Sequence, residues 1–140
     1  MTAQSGKEGR PLIVEKKHRD DFTILYVEGL IKLGESAEFF SSALEGVLKD
    51  DDSNVMVDFT KIDYIDSTGI GELVGYLGKF GNQNRSLVLI NPSERVLKLL
   101  KLAKLDSVFR IYSNEDEAIA AETERNVGEQ GDKKSGDEEE

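Results

Sequence analysis

Between Pro11 and Ala120 the hydrophobic period of the chain switches repeatedly between two and about 3.6, and that alternation fixes the fold class. The runs "PLIVEKK" and "FTILYVEG" are short and rich in β-branched or aromatic residues. In the second, Phe22, Ile24 and Tyr26 alternate with Leu25 and Val27, as in a strand. A helical stripe follows in Ala37, Phe40, Leu44, Val47 and Leu48, with Ser36 placed to cap it. "NVMVDF" reads as a strand after the polar turn "KDDDS". Ile70, Leu73, Val74, Leu77 and Phe80 form a second helical stripe, and "SLVLI" is the next strand. Asn91, Pro92 and Glu94 spell a helix start, with asparagine as N-cap, proline at N1 and an acid at N3. Val96, Leu97, Leu100 and Ala103 continue that helix, "SVFRIY" is a last strand and "NEDEAIAA" a last short helix. Strands alternating with helices of this length predict an α/β sandwich with a largely covered sheet.

The ends are read differently. Residues 1–10 carry little that can be buried, and the last twenty, 121–140, hold eight acids against three bases. Both segments are expected to be disordered, because they cannot offset their ordering entropy by burial. One domain therefore spans residues 11–120. The net charge of −10 argues against nucleic acid as a partner. Without cysteine there is no disulfide, thiolate metal site or cysteine nucleophile. The longest apolar runs are too short for a membrane span and no signal-peptide pattern opens the chain, so a soluble cytoplasmic monomer is expected.

The chemically suggestive stretch is "IDSTGIGE", where Asp66, Ser67 and Thr68 stand together at a helix entrance. A hydroxyl there ordinarily caps the helix by accepting from a free backbone N–H. Three capping residues in a row are more than a cap needs. Gly69, Gly71, Gly75 and Gly78 are also costly in a helix unless packing or a docking partner requires them. Asp63 and Asp66 add acids beside the hydroxyls. The residues alone point to a modification or docking site, with a plain cap as the alternative.

Other chemistries find less support. Asp58 at the end of "VMVDF" suits an aspartate-phosphorylated receiver, but the acidic pair and lysine such a domain needs are missing. "GIGELVG" misses the dinucleotide fingerprint by one residue. His18 has only Lys16, Lys17 and Arg19 around it, and reads as a solvated loop residue. A metal site from Asp58, Asp63 and Asp66 rests on clustering alone. No catalytic constellation emerges, so the chain is read as an enzyme's substrate rather than an enzyme, with no cofactor and no metal.

The segment "DFTKIDYIDSTGIGELVGYL" resembles the signature of the STAS domains, in particular the free-standing bacterial anti-sigma factor antagonists, which typically read D-x-S-[ST]-G-[LI]-G or a near variant there. The resemblance extends over roughly residues 12 to 120, including "NPSERVLKLLKLAKLDSVFRIYSNEDEAI". It implies a STAS-like sandwich: a central mixed sheet of about four to five strands packed with about four helices. It also implies a phosphorylation switch. The modified serine maps to Ser67, with Thr68 as second candidate and Asp66 orienting the loop. Asp63, Asp66, Ser67, Thr68, Gly69 and Gly71 would form the partner surface. The implied partners are an anti-sigma factor with serine-kinase activity, bound by the unphosphorylated form, and a serine phosphatase. One departure is plain, since Leu30, Ile31 and Lys32 replace the acidic G-E-L-D-type segment common in the antagonists. A STAS scaffold in a stress-sensing or lipid-transport assembly is therefore the alternative reading.

Overall fold

The computed structural model describes residues 2–4 and 12–126. Its strands are β1 (Thr2–Gln4), β2 (Ile13–Arg19), β3 (Phe22–Ile31), β4 (Asn54–Ile65), β5 (Leu87–Ile90) and β6 (Ile111–Tyr112). Helices α1 (Glu35–Asp50), α2 (Ser67–Gly81) and α3 (Glu94–Leu102) connect the strands from β3 onward, and α4 covers residues 115–126. The sheet order is the chain order, β1 to β6. The first two pairings are antiparallel and the other three parallel, each parallel pair being bridged by one helix.

Both faces of the sheet are covered, as the runs without polar alternation require. On one face Leu25, Val27, Val55, Val57 and Leu89 pack with Phe40, Leu44, Leu73, Phe80, Val96 and Leu100 of α1, α2 and α3. On the other, Phe22, Ile24, Met56, Val88 and Ile90 pack with Ala118 and Ile119 of α4. The alternation of β3 thus divides its side chains between two cores. The α1 stripe is as expected, while in α2 Tyr76 is buried and Val74 is 37% exposed.

Several local expectations are corrected. Ser36 does not cap α1; Gly34 stands there, and the Ser36 hydroxyl accepts from the Lys32 N–H and donates to the Lys32 carbonyl. The cap of α3 is Ser93, accepting from the Val96 N–H at 3.2 Å. Asn91, left-handed at φ 49°, instead donates its side-chain amide to Thr60. "SVFRIY" contributes only two strand residues. His18 is the penultimate residue of β2, where its Nδ1 lies 3.0 Å from the Thr23 hydroxyl, so it is a strand residue and not a loop one. Thr2–Gln4 pairs with β2, inside the stretch expected to be unstructured. The boundary at Ala120 falls within α4, whose Glu122 is completely buried. The acidic stretch beyond residue 126 lies outside the described residues.

The longest correction concerns β4. The sequence suggests a strand ending near Asp58 and an acid-rich turn, yet β4 runs twelve residues to Ile65. Its pairing with β3 shifts twice, between Tyr26 and Glu28 and between Gly29 and Leu30. Each bulge places an extra β4 residue opposite β3. Phe59, Ile62 and Ile65 are consequently buried at a spacing of three, which hides the strand from any search for alternation. Gly29, at φ 124°, supplies the backbone conformation beside the second shift.

At the opposite end of the sheet, buried Arg85 spends all five N–H donors. Its Nε donates to the Ser53 carbonyl at 2.7 Å. Nη1 donates to the Leu48 carbonyl and the Gln83 amide oxygen, and Nη2 to the Val47 carbonyl and Asp51. Val47 and Leu48 lie in the last turn of α1, where carbonyls have no helical partner, so Arg85 terminates that helix.

Candidate functional site

The site forms where β4 passes into α2. Asp66 holds the junction by four hydrogen bonds. Its N–H donates to the Ile31 carbonyl at 3.0 Å, and its carbonyl accepts from the Ile70 N–H at 3.0 Å. Its Oδ1 accepts from the Gly69 N–H at 3.0 Å, and Oδ2 from the Leu33 N–H at 2.8 Å. One carboxylate therefore caps α2 and ties down the loop leaving β3.

The cap is Asp66, so the hydroxyls are relieved of that duty. Ser67 is the first residue of α2 and Thr68 the second. Ser67 is exposed and Thr68 half-buried. The Ser67 side chain makes no hydrogen bond with any described residue, whereas a serine kept as a cap would be engaged.

The surroundings combine apolar and acidic surface. Tyr64 pairs with Leu30 across the strands and is 39% exposed, while Leu33, next to the Asp66 contact, is 74% exposed. Asp63 is an exposed β4 residue just before them. Exposed leucine and tyrosine beside a free hydroxyl make a surface that association with a partner would dehydrate. Leu33 and Tyr64 were missed from sequence, because a leucine in a loop gives no sign of its exposure. Lys32 is exposed in the same loop, and Ile31 is buried beneath it.

Of the expected partner residues, the structure brings Asp63, Asp66, Ser67 and Thr68 to this corner. Gly69 is different: it is buried, which removes it from any docking surface. A Cβ built on Gly69 would lie 2.6 Å from Ile65 Cγ1 and 2.7 Å from Ile31 Cγ2. The glycine lets α2 approach the ends of β3 and β4. Gly71, Gly75 and Gly78 meet nothing within 4 Å, so packing against the sheet does not account for them. Gly69→Ala is accordingly expected to destabilise by about 1–3 kcal/mol through overpacking of branched side chains. Gly75→Ala should stabilise by about 0.5–1 kcal/mol. Urea unfolding of the two variants checks the opposite signs; equal effects would refute the close approach.

Asp58 lies within β4, its Oδ1 accepting from the Thr60 N–H, and not at a strand end as a receiver aspartate would. Among the described residues no group of three acidic, histidine or cysteine side chains could hold a metal ion. None of their helices is long and apolar enough to cross a membrane.

The STAS domain family model matches residues 14–118. The anti-sigma-B factor antagonist of Listeria monocytogenes is 30% identical over 111 residues, covering 74% of this chain and 91% of that protein. An anti-sigma factor antagonist from Mycobacterium paratuberculosis has a similar structure, with TM-score 0.69, 19% identity and coverage of 79% and 92%. The anti-sigma factor antagonist SpoIIAA matches in its unphosphorylated form at TM-score 0.65, with 18% identity and coverage of 76% and 92%. Its phosphorylated form, described as a Bacillus cell fate determinant, matches at TM-score 0.62, with 16% identity and coverage of 77% and 97%.

Proposed function

The chain belongs to the STAS domain family, and on that premise we propose that it is an anti-sigma factor antagonist switched by phosphorylation of Ser67. In this reading the unphosphorylated form binds an anti-sigma factor that is also a serine kinase, and the bound anti-sigma factor releases its sigma factor. Phosphorylation ends the association and a serine phosphatase restores it. The observation that carries the reading is the unengaged, exposed hydroxyl of Ser67 beside Asp66, which already does the capping. The Listeria relative's designation as an anti-sigma-B factor antagonist supports the same class of partner.

The physics of the switch is local. A phosphate on Ser67 adds about −1.5 to −2 charges. Within the domain it lies at the first turn of α2, where backbone N–H groups and the helix dipole favour an anion. The fold has no reason to change. Between proteins, the same charge enters a surface holding Asp63 and the apolar side chains Leu33 and Tyr64. Each tenfold loss of affinity needs only about 1.4 kcal/mol of repulsion and desolvation.

The test is recovery of partners from the native host with wild type, Ser67→Ala and Ser67→Asp, together with phosphosite mapping. An anti-sigma factor with a serine-kinase domain should be held by the alanine form and weakened at least tenfold in the aspartate form, with phosphate on Ser67. Identical partners for all three proteins and an unmodified Ser67 would reject the switch. The second reading, a constitutive STAS scaffold, would then stand, favoured by Leu30, Ile31 and Lys32 where the acidic G-E-L-D-type segment would fall.

A further inference from the structure

The chain is strongly acidic, yet one helix face is basic. Arg95, Lys98 and Lys101 recur every third residue along α3, and Lys104 follows in the turn that closes it. All four are exposed, opposite the buried Val96 and Leu100. Residues 94–104 hold these four bases against one acid, Glu94, in a chain of net −10. None of the four cations has a hydrogen-bond or ion-pair partner among the described residues. Leu102, 78% exposed, stands in the same stretch. We propose that this face of α3 binds the chain's own acidic segment, residues 129–140, with Asp137, Glu138, Glu139 and Glu140 against the basic side chains.

Charge complementarity and reach both favour this occupant. Residues 127–140 hold six acids against two bases, and the last four positions are all acidic. The described chain ends at Asn126, on the cavity that Val108 also lines. Val108 donates its N–H to the Leu105 carbonyl, and Leu105 donates to the Leu100 carbonyl of α3. The last described residue thus lines the same cavity as the loop that follows α3, even though α4 itself packs on the other face of the sheet. Fourteen extended residues reach about 46–50 Å. The nine residues of α3 span only about 13.5 Å. A tether of this length presents its charges at an effective concentration on the order of millimolar. The docking is independent of the Ser67 switch. Because every contact lies at the surface, it should be weakened strongly by salt.

The absence of native cysteine permits a direct test on the full chain. A spin label on Ser135→Cys should remove more than half of the amide signal intensity across residues 95–104 at 20 mM salt. The signals should return at 0.5 M salt. They should also return at low salt with Lys98→Glu and Lys101→Glu, or with Asp137→Asn, Glu138→Gln, Glu139→Gln and Glu140→Gln. These positions are exposed or outside the described fold, so the remaining spectrum should stay unchanged. The proposal is overturned if α3 shows no selective loss, or if the loss survives both charge changes. It is also overturned if the loss appears only between chains, when unlabelled-isotope, spin-labelled protein is mixed with isotope-labelled, spin-free protein. That result would make a second copy the occupant.

Discussion

Arg85→Met is expected to lower the unfolding free energy by about 3–5 kcal/mol, the range for removing one partner from a buried charged network. Methionine keeps much of the stem and all five donors are lost. The Val47 and Leu48 carbonyls that end α1 lose their partner, as do the Ser53 carbonyl and Asp51. Packing of the guanidinium on the Phe80 ring, 4.6 Å from its centroid, goes with them. In a domain of this size the loss corresponds to a melting-temperature drop of roughly 10 °C or more. Arg85→Lys should recover only a small part, since an ammonium has three donors and no planar fork. Arg95→Met, on the exposed face of α3, should change stability by less than about 0.5 kcal/mol. Urea unfolding of the three variants decides the matter. A loss below about 1 kcal/mol for Arg85→Met would show that water replaces the guanidinium.

The second large effect belongs to Glu122. Its buried carboxylate accepts from Arg110 Nε at 2.7 Å and Nη2 at 3.0 Å, and from the Tyr112 hydroxyl at 2.6 Å. Burial pushes the carboxyl up, but the hydrogen bonds from Arg110 and Tyr112 outweigh it and hold it below the usual glutamate range. Wild-type Glu122 thus contributes stability that is complete above its ordinary value of 4.5 and is lost as pH falls through the lower folded value. Arg110→Met strands the charge. The expected cost at pH 7 is about 3 kcal/mol, the low end for a broken buried pair because Arg110 is itself partly exposed. With burial unopposed by arginine, the folded carboxyl is raised instead, and protonation relieves the variant as pH falls. The stability gap to wild type should therefore narrow between pH 7 and pH 5, measured by urea unfolding at each. A gap independent of pH would mean that Glu122 is not the stranded charge.

The legible parts of this fold were those written in local patterns. The two-sided alternation of Phe22 to Val27 and the α1 stripe from Ala37 to Val47 both survive in the packed molecule. The resemblance around Ser67 singled out the candidate corner without geometry. What stayed hidden depends on residues far apart in sequence. Asp66 displaces Ser67 as the cap because its other oxygen is held by the N–H of Leu33, thirty-three positions earlier. Two bulges turn β4 to a spacing of three, so its second half resembled a turn. Arg85 and Glu122 look like ordinary surface charges until their partners arrive from α1 and β6. The helical cap of α3 was misplaced by two residues because asparagine, proline and serine all fit a start, and only the left-handed backbone of Asn91 separates them.

Because strand order repeats chain order, each new strand joins the one made just before it, without threading or waiting for a distant partner. A chain emerging from the ribosome as far as Ile90 already contains β3, β4, β5 and the whole entrance of α2. The face formed by Phe22, Ile24, Met56, Val88 and Ile90 has no cover at that stage, since Ala118 and Ile119 come much later. Synthesis therefore passes through an interval in which the corner around Ser67 is complete while one face of the sheet is open to aggregation, and α4 closes that interval.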